Sequence, residues 1–315
     1  VYGAAASNAG VAAACAAGGV PAGYRQVDAA GKEIGSKAGG QSPKAFLTGS
    51  NPNLQPETSV TRTLGLVYSP SQVEGLDFSL DWYRINLERT IGSVTANDIL
   101  DYCYVQNDPA FCGRFQRDAS GQITSLTQGL ANLGKLTTEG YDFGAHYRLP
   151  EFAAGRFTLG LESTYLAKYD LTSGPGQVLQ GLAGFASGTL GLYRARANAS
   201  LDWTLGNFGA TWTMRYFGGL RDTCWDVGVE CNAPNYTNPW IGDVGASNKG
   251  SVTFNDVQFR YQLPWQASFN VGVNNVFNKK GPYYYSVAGS GTGSAPYLPS
   301  FDIDRYFYVG YHQKF

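Results

Sequence analysis

The residues best equipped for chemistry in this chain are five cysteines. Cys103 and Cys112 fall in one long irregular stretch, Cys224 and Cys231 in another, and Cys15 stands alone near the start. Neither pair has the shorter spacing of a zinc site, and His is nearly absent, so metal binding is not expected. Two disulfides, Cys103–Cys112 and Cys224–Cys231, would each staple a loop, as suits an oxidising cell-surface setting. Cys15 is then left over, to pair with something upstream or not at all.

No catalytic constellation emerges, and the chain does not read as an enzyme. The two histidines, His146 and His312, both fall on the polar face of an alternating segment, where a solvated imidazole is expected rather than a general base. GSGTG at 289–293 lacks the strand–turn–helix context of a phosphate loop and reads as an external loop. Asp77 and Asp81 share one strand face and are expected to make salt bridges or contact a domain packed inside. No cofactor is implied.

Ligand contact is the functional role left. Trp225, Tyr236, Trp240, Tyr283, Tyr284, Tyr285 and Tyr297 crowd the long loops, and rigid aromatics make good binding surface. They are equally expected as interfacial girdle or loop packing. Arg194, Arg196, Arg215 and Arg260 lie on the polar strand face and would attract an anionic ligand, although acidic residues on the same face imply that much of this charge is paired internally.

The elements that must position these groups are strands. Charged residues make up 15% of the chain, against about 25% in a typical soluble protein. Glycine (41) and tyrosine (21) are abundant, and the net charge of −1 offers no attraction to nucleic acid. No apolar run is long enough for a transmembrane helix, so a membrane-spanning form would have to be a closed barrel. Val1 is not a start methionine, and the Ala-rich segment from Ala4 to Ala17 lacks the basic and apolar regions of a signal peptide. We read the chain as a fragment or processed product whose beginning lies upstream.

Residues 1–57 show no period of either kind and are expected to form an extracellular loop region. Residues 58–315 alternate in nine segments, near 63–68, 76–87, 141–149, 157–168, 194–203, 210–216, 257–262, 269–274 and 305–315. A period of two places apolar side chains on one face and polar ones on the other. The phase shifts near Arg84–Ile85, which suggests a bulge or the exit from a membrane band. Connections alternate between short turns and long loops, the latter near 88–133, 170–191, 218–250 and 279–304. That asymmetry predicts an antiparallel up-and-down transmembrane β-barrel, here a partial barrel, with short periplasmic turns and long extracellular loops. A passive porin-like channel is one alternative reading; a soluble β-rich binding or adhesion module, whose turns would be more evenly spaced, is another.

NPNLQPETS (51–59) and SLDWYRI (79–85), followed by LANLGKLTTEGYDFGAHYRL (130–149), VGVNNVFNKK (271–280) and the terminal RYFYVGYHQKF (305–315), together resemble the barrel of TonB-dependent outer-membrane receptors. The resemblance runs from about residue 50 to the end. It implies the C-terminal part of a plugged barrel of about 22 strands, in the outer membrane of a Gram-negative bacterium. The whole receptor would take up a scarce ligand, such as a siderophore, cobalamin, carbohydrate or peptide, using energy delivered by TonB. Implied partners are outer-membrane lipid, the barrel-assembly machinery, the TonB complex through an N-terminal part with its plug domain, and a small-molecule ligand. Phe307, Val309, Tyr311 and Phe315 would form the C-terminal assembly signal. Gln313 departs from the aromatic or apolar residue usual two before the terminal Phe.

Overall fold

Alternation in the sequence becomes nine long strands in the computed structural model, which describes residues 8–21, 23–25, 47–172, 174, 180–187, 190–222, 237–238, 242–243, 248–282, 284, 298, 300–301 and 304–314. We number these strands β1 (Thr58–Tyr68), β2 (Leu76–Val94), β3 (Ile123–Arg148), β4 (Arg156–Thr172), β5 (Ala195–Leu205), β6 (Phe208–Phe217), β7 (Val252–Leu263), β8 (Ala267–Asn274) and β9 (Tyr306–Gln313). Their order in the sheet follows the chain, from β9 at one end to β1 at the other. Among the described residues the path does not close: β1 is paired only with β2, and β9 only with β8.

Register turns the alternation into rows. Leu159, Leu201, Trp212, Val257, Val273 and Phe307 are successive partners across six strands. Phe157, Trp203, Ala210, Phe259, Val271 and Val309 form a second such row. Between them, on the opposite face, run Thr158, Asp202, Thr211, Gln258, Gly272 and Tyr308. The apolar rows are not packed away: Phe259 is 56% exposed, Phe307 67% and Val309 69%.

The short turns have local causes. Gly206 adopts φ +54 in the two-residue link from β5 to β6, a left-handed conformation that glycine enters without steric cost. Gln266 takes φ +57 in the link after Pro264.

Two compact units are present. The first comprises residues 1–60, 86–136 and 171–180. It corrects the expectation of irregular chain in two places. Ala9–Ala17 forms a helix, α1, on an alanine-rich run whose first amides are capped by the Asn8 side chain. The stretch expected as a loop near 88–133 continues β2 to Val94, starts β3 at Ile123, and holds helices α2 (Ala96–Tyr104) and α3 (Pro109–Cys112) between them. α2 begins at a reciprocal capping box between Thr95 and Asp98, and α3 at Asp108 followed by Pro109. Nine residues are too few for a helix to stand alone in water, so α1 depends on packing. Its Val11 and Cys15 join Val94, Ile99, Tyr102, Cys103, Phe111 and Leu126 in one apolar cluster.

β2 runs unbroken through Arg84–Ile85; the left-handed residue on that strand is Arg89, at φ +57. The first unit also explains NPNLQPETS. Asn132 accepts from the Gln55 amide at 2.8 Å and donates to the Gln55 carbonyl at 2.7 Å and the Arg89 carbonyl at 2.9 Å. Asn51 donates to the Leu130 carbonyl, and Glu57 accepts from the Ile91 amide at 2.7 Å. The motif is a strap held by the Asn51 and Glu57 side chains on backbone groups of β3 and β2 and by the Asn132 side chain on the Gln55 backbone.

The second unit, residues 61–85, 137–170 and 181–315, carries β5 to β9 whole. Short strands at 185–187, 190–191, 220–222 and 248–249 occupy stretches expected as loops and form a small separate sheet. β7 starts earlier than the alternation indicated, at Val252.

Candidate functional site

The polar face of the second unit holds the expected arginines, but not as four equivalent charges. Arg260 grips Asp202 with Nη1 and Nη2, each at 2.7 Å from a carboxylate oxygen, and also donates to Thr211 and Thr204. Arg215 holds Asp256 through Nε at 2.8 Å and Nη2 at 3.1 Å, and its guanidinium lies 5.3 Å from the centre of the Phe254 ring. Bidentate pairs of this kind are directional and hold both partners in place. Arg194 and Arg196 are exposed, and among the described residues no carboxylate pairs with either. Arg194 donates to the Ala167 carbonyl.

Asp256 does a second job. Its Oδ1 accepts the Asn275 amide at 2.7 Å. Asn275 is fully buried, in the left-handed region at φ +52, and its side chain exchanges hydrogen bonds with Lys279 in both directions. The VGVNNVFNKK stretch is therefore a closed polar turn tied to the Arg215–Asp256 pair. Its asparagines are the residue type that tolerates this backbone conformation.

His146 stands between two carboxylates, with Nδ1 3.8 Å from Asp77 and Nε2 3.3 Å from Glu162. The ring is half exposed. Glu139 gathers Arg84 at 3.9 Å, Lys168 at 3.6 Å and the Trp82 indole at 3.3 Å. His312 is exposed on β9 opposite Ser268. Among the described residues no group of three or more His, Cys, Asp and Glu side chains is set to hold a metal ion.

The loop aromatics divide. Tyr284 is fully buried, beside Phe301, in a cluster with Tyr193, Phe217, Phe254 and Leu298. It is a core residue and not exposed binding surface; Tyr284, Leu298 and Phe301 of this loop pack on the inner-face aromatics of β6 and β7. In the same cluster the Tyr193 hydroxyl meets Ser300 at 2.7 Å, and burial pushes its pKa up to about 12. Trp225, Tyr236, Trp240, Tyr283, Tyr285 and Tyr297, the 289–293 glycine run, Cys224, Cys231 and Phe315 lie outside the described residues. Phe307, Val309 and Tyr311 lie on the exposed apolar face of β9. The Cys103–Cys112 disulfide is present, tying α2 to α3, and Cys15 is a free, buried thiol. The TAND and DP sequences that cap α2 and α3 were the signals for structure within this loop.

The family model described as TonB dependent receptor-like, beta-barrel matches residues 18–276. The chain belongs to this family. Among solved structures, this receptor chain is similar to the FrpB iron transporter from Neisseria meningitidis in its F5-1 variant apoprotein form, with a TM-score of 0.53, 15% identity, and coverage of 85% of this chain and 33% of that one. It is likewise similar to a ferric enterobactin receptor, PfeA, from Pseudomonas aeruginosa, a mutant in complex with enterobactin, with a TM-score of 0.53, 18% identity, and coverage of 84% and 32%. The chain thus spans about a third of the length of each. No curated protein matches it. At these identities the likeness is one of fold. The antiparallel sheet of this TonB-dependent receptor chain is part of a barrel that does not close among the described residues.

Proposed function

We propose that residues 58–315 form the C-terminal barrel portion of an outer-membrane receptor that takes up a scarce ligand with energy delivered through TonB, and that residues 1–57 lie on the extracellular side. The observation that carries this reading is the pair of six-residue apolar rows left exposed on one sheet face, with polar rows between them on the other. In water such a face would be an aggregation surface; against acyl chains it is the solvated state. The aromatic positions near the short turns support it: Trp265 is 57% exposed and Phe208 58% exposed, and the Trp265 indole donates to the Tyr311 hydroxyl at 3.2 Å. Aromatics of this kind settle at the membrane–water boundary.

In this reading outer-membrane lipid covers the apolar rows, and the barrel-assembly machinery recognises β9 through Phe307, Val309, Tyr311 and Phe315. The ligand enters from the long-loop side, and in the whole receptor a plug domain and a TonB-contacting segment couple its passage to the inner membrane. Arg194 and Arg196 are the inner-face cations most available to an anionic ligand. The ligand classes this reading admits are siderophore, cobalamin, carbohydrate and peptide.

The test is uptake in cells producing the full-length receptor, located by membrane fractionation. Accumulation that stops when TonB is deleted or the proton gradient is collapsed supports the proposal. Accumulation that continues under both conditions identifies a passive channel instead. A protein recovered without detergent in the aqueous fraction would defeat both readings.

A further inference from the structure

Between α1 and the disulfide-closed α2–α3 segment lies a cavity of about 390 Å³, within the size range of small-molecule sites. Its walls include Ala14 and Ala17 of α1, the Cys103–Cys112 disulfide, Phe115 and Arg117. Apolar surface predominates, and one permanent cation stands in it.

Arg117 is held firmly although no carboxylate pairs with it among the described residues. Its guanidinium carbon lies 5.5 Å from the centre of the Tyr24 ring, 5.6 Å from Tyr104 and 5.4 Å from Phe115. Nε donates to the Tyr104 hydroxyl at 3.1 Å, and Nη1 to the Gly121 carbonyl at 2.6 Å. The Tyr24 hydroxyl is a further hydrogen-bond partner of the guanidinium, and among the described residues no carboxylate forms an ion pair with it. Three rings and these hydrogen bonds thus fix a half-buried guanidinium at the wall of an apolar cavity, and its five N–H groups outnumber the acceptors that hold it. The planar guanidinium fork matches a carboxylate, and prior immobilisation lowers the ordering cost of binding.

We propose that this cavity binds a small planar organic carboxylate, with Arg117 as its charge contact and the face of α1 as its apolar wall. The site belongs to the first unit alone and does not depend on transport, so its failure and that of the uptake reading are separable.

The experiment is calorimetric titration of the purified full chain in detergent with benzoate, and with benzamide as the neutral analogue. Saturable benzoate binding is expected, with affinity reduced at least about tenfold for benzamide. Arg117→Gln should abolish the difference between the two probes. Because removing Arg117 could disorder the segment, Ala17→Leu provides an independent arm: it fills the cavity from an exposed helical position and leaves the guanidinium untouched. Lost benzoate binding in Ala17→Leu, with the Cys103–Cys112 disulfide still formed by thiol counting, supports the site. Equal binding of the two probes, unchanged binding in Ala17→Leu, or no saturable binding of benzoate overturns it.

Discussion

Arg260 reaches Asp202 by crossing Gly209. The register places Gly209 directly opposite Arg260 on β6, and Asp202 one strand further on, on β5. A Cβ at position 209 would come within 2.5 Å of Arg260 Nε, so the glycine is the gap through which the arginine lies flat on the inner face. The two side chains are 25% and 37% exposed, which limits the strength of the pair. A double-mutant cycle of Asp202→Ala and Arg260→Ala in reversible lipid-based unfolding should give a coupling of about 1 kcal/mol. Gly209→Val should remove that coupling without touching either charge. A coupling of zero in the parent would show the pair to be incidental.

Val271 and Gln258 test the assignment of the two faces. Val271 lies in an exposed apolar row, and Gln258 in a polar one, where it donates to the Tyr308 hydroxyl at 3.1 Å. In vesicles, Val271→Arg should cost about 2–4 kcal/mol, because the charge enters hydrocarbon, whereas Gln258→Arg should cost well under half of that. Equal costs would mean that the apolar rows do not face lipid.

Asn132 tests the strap. Asn132→Asp keeps size but replaces the two donated hydrogen bonds with carboxylate–carbonyl repulsion. It should loosen residues 51–57 more than Asn132→Ala, which is expected to cost about 1–3 kcal/mol locally. Limited proteolysis between β1 and the preceding segment reads this out; indistinguishable cleavage of parent and variants would discount the role assigned to Asn132.

Cys15 supplies a pH prediction. Burial raises its thiol pKa above the ordinary 9.0, against the opposing pull of Arg117. A raised folded-state value means the neutral thiol is the form that folding favours. Its contribution to stability is complete below the unfolded value and is lost as pH rises through the folded one. Native protein should therefore resist alkylation at Cys15 near neutral pH and gain reactivity at strongly alkaline pH, while denatured protein reacts readily. Reducing Cys103–Cys112 should destabilise the α2–α3 segment by about 2–3 kcal/mol, as expected for closing so short a loop. Mass-spectrometric labelling that found Cys15 equally reactive in native and denatured protein would contradict its burial.

The sequence by itself determined the strands and their faces, because a period of two depends only on neighbouring residue types. Nine segments were legible, as was the sorting of connections into short and long. What it could not place was structure that arises from packing. The α1 helix has no apolar stripe to announce it; it stands because Val11 and Cys15 find Tyr102 and Phe111 across nearly a hundred residues. Tyr284 looked like loop surface and is core, since burial belongs to the assembled cluster and not to the residue type. The four inner-face arginines carry the same charge in sequence. Only the register, and the glycine gap beside one of them, pairs Arg215 and Arg260 with carboxylates and leaves Arg194 and Arg196 exposed, because electrostatic pairing is set by distances of a few ångströms across strands far apart in the chain.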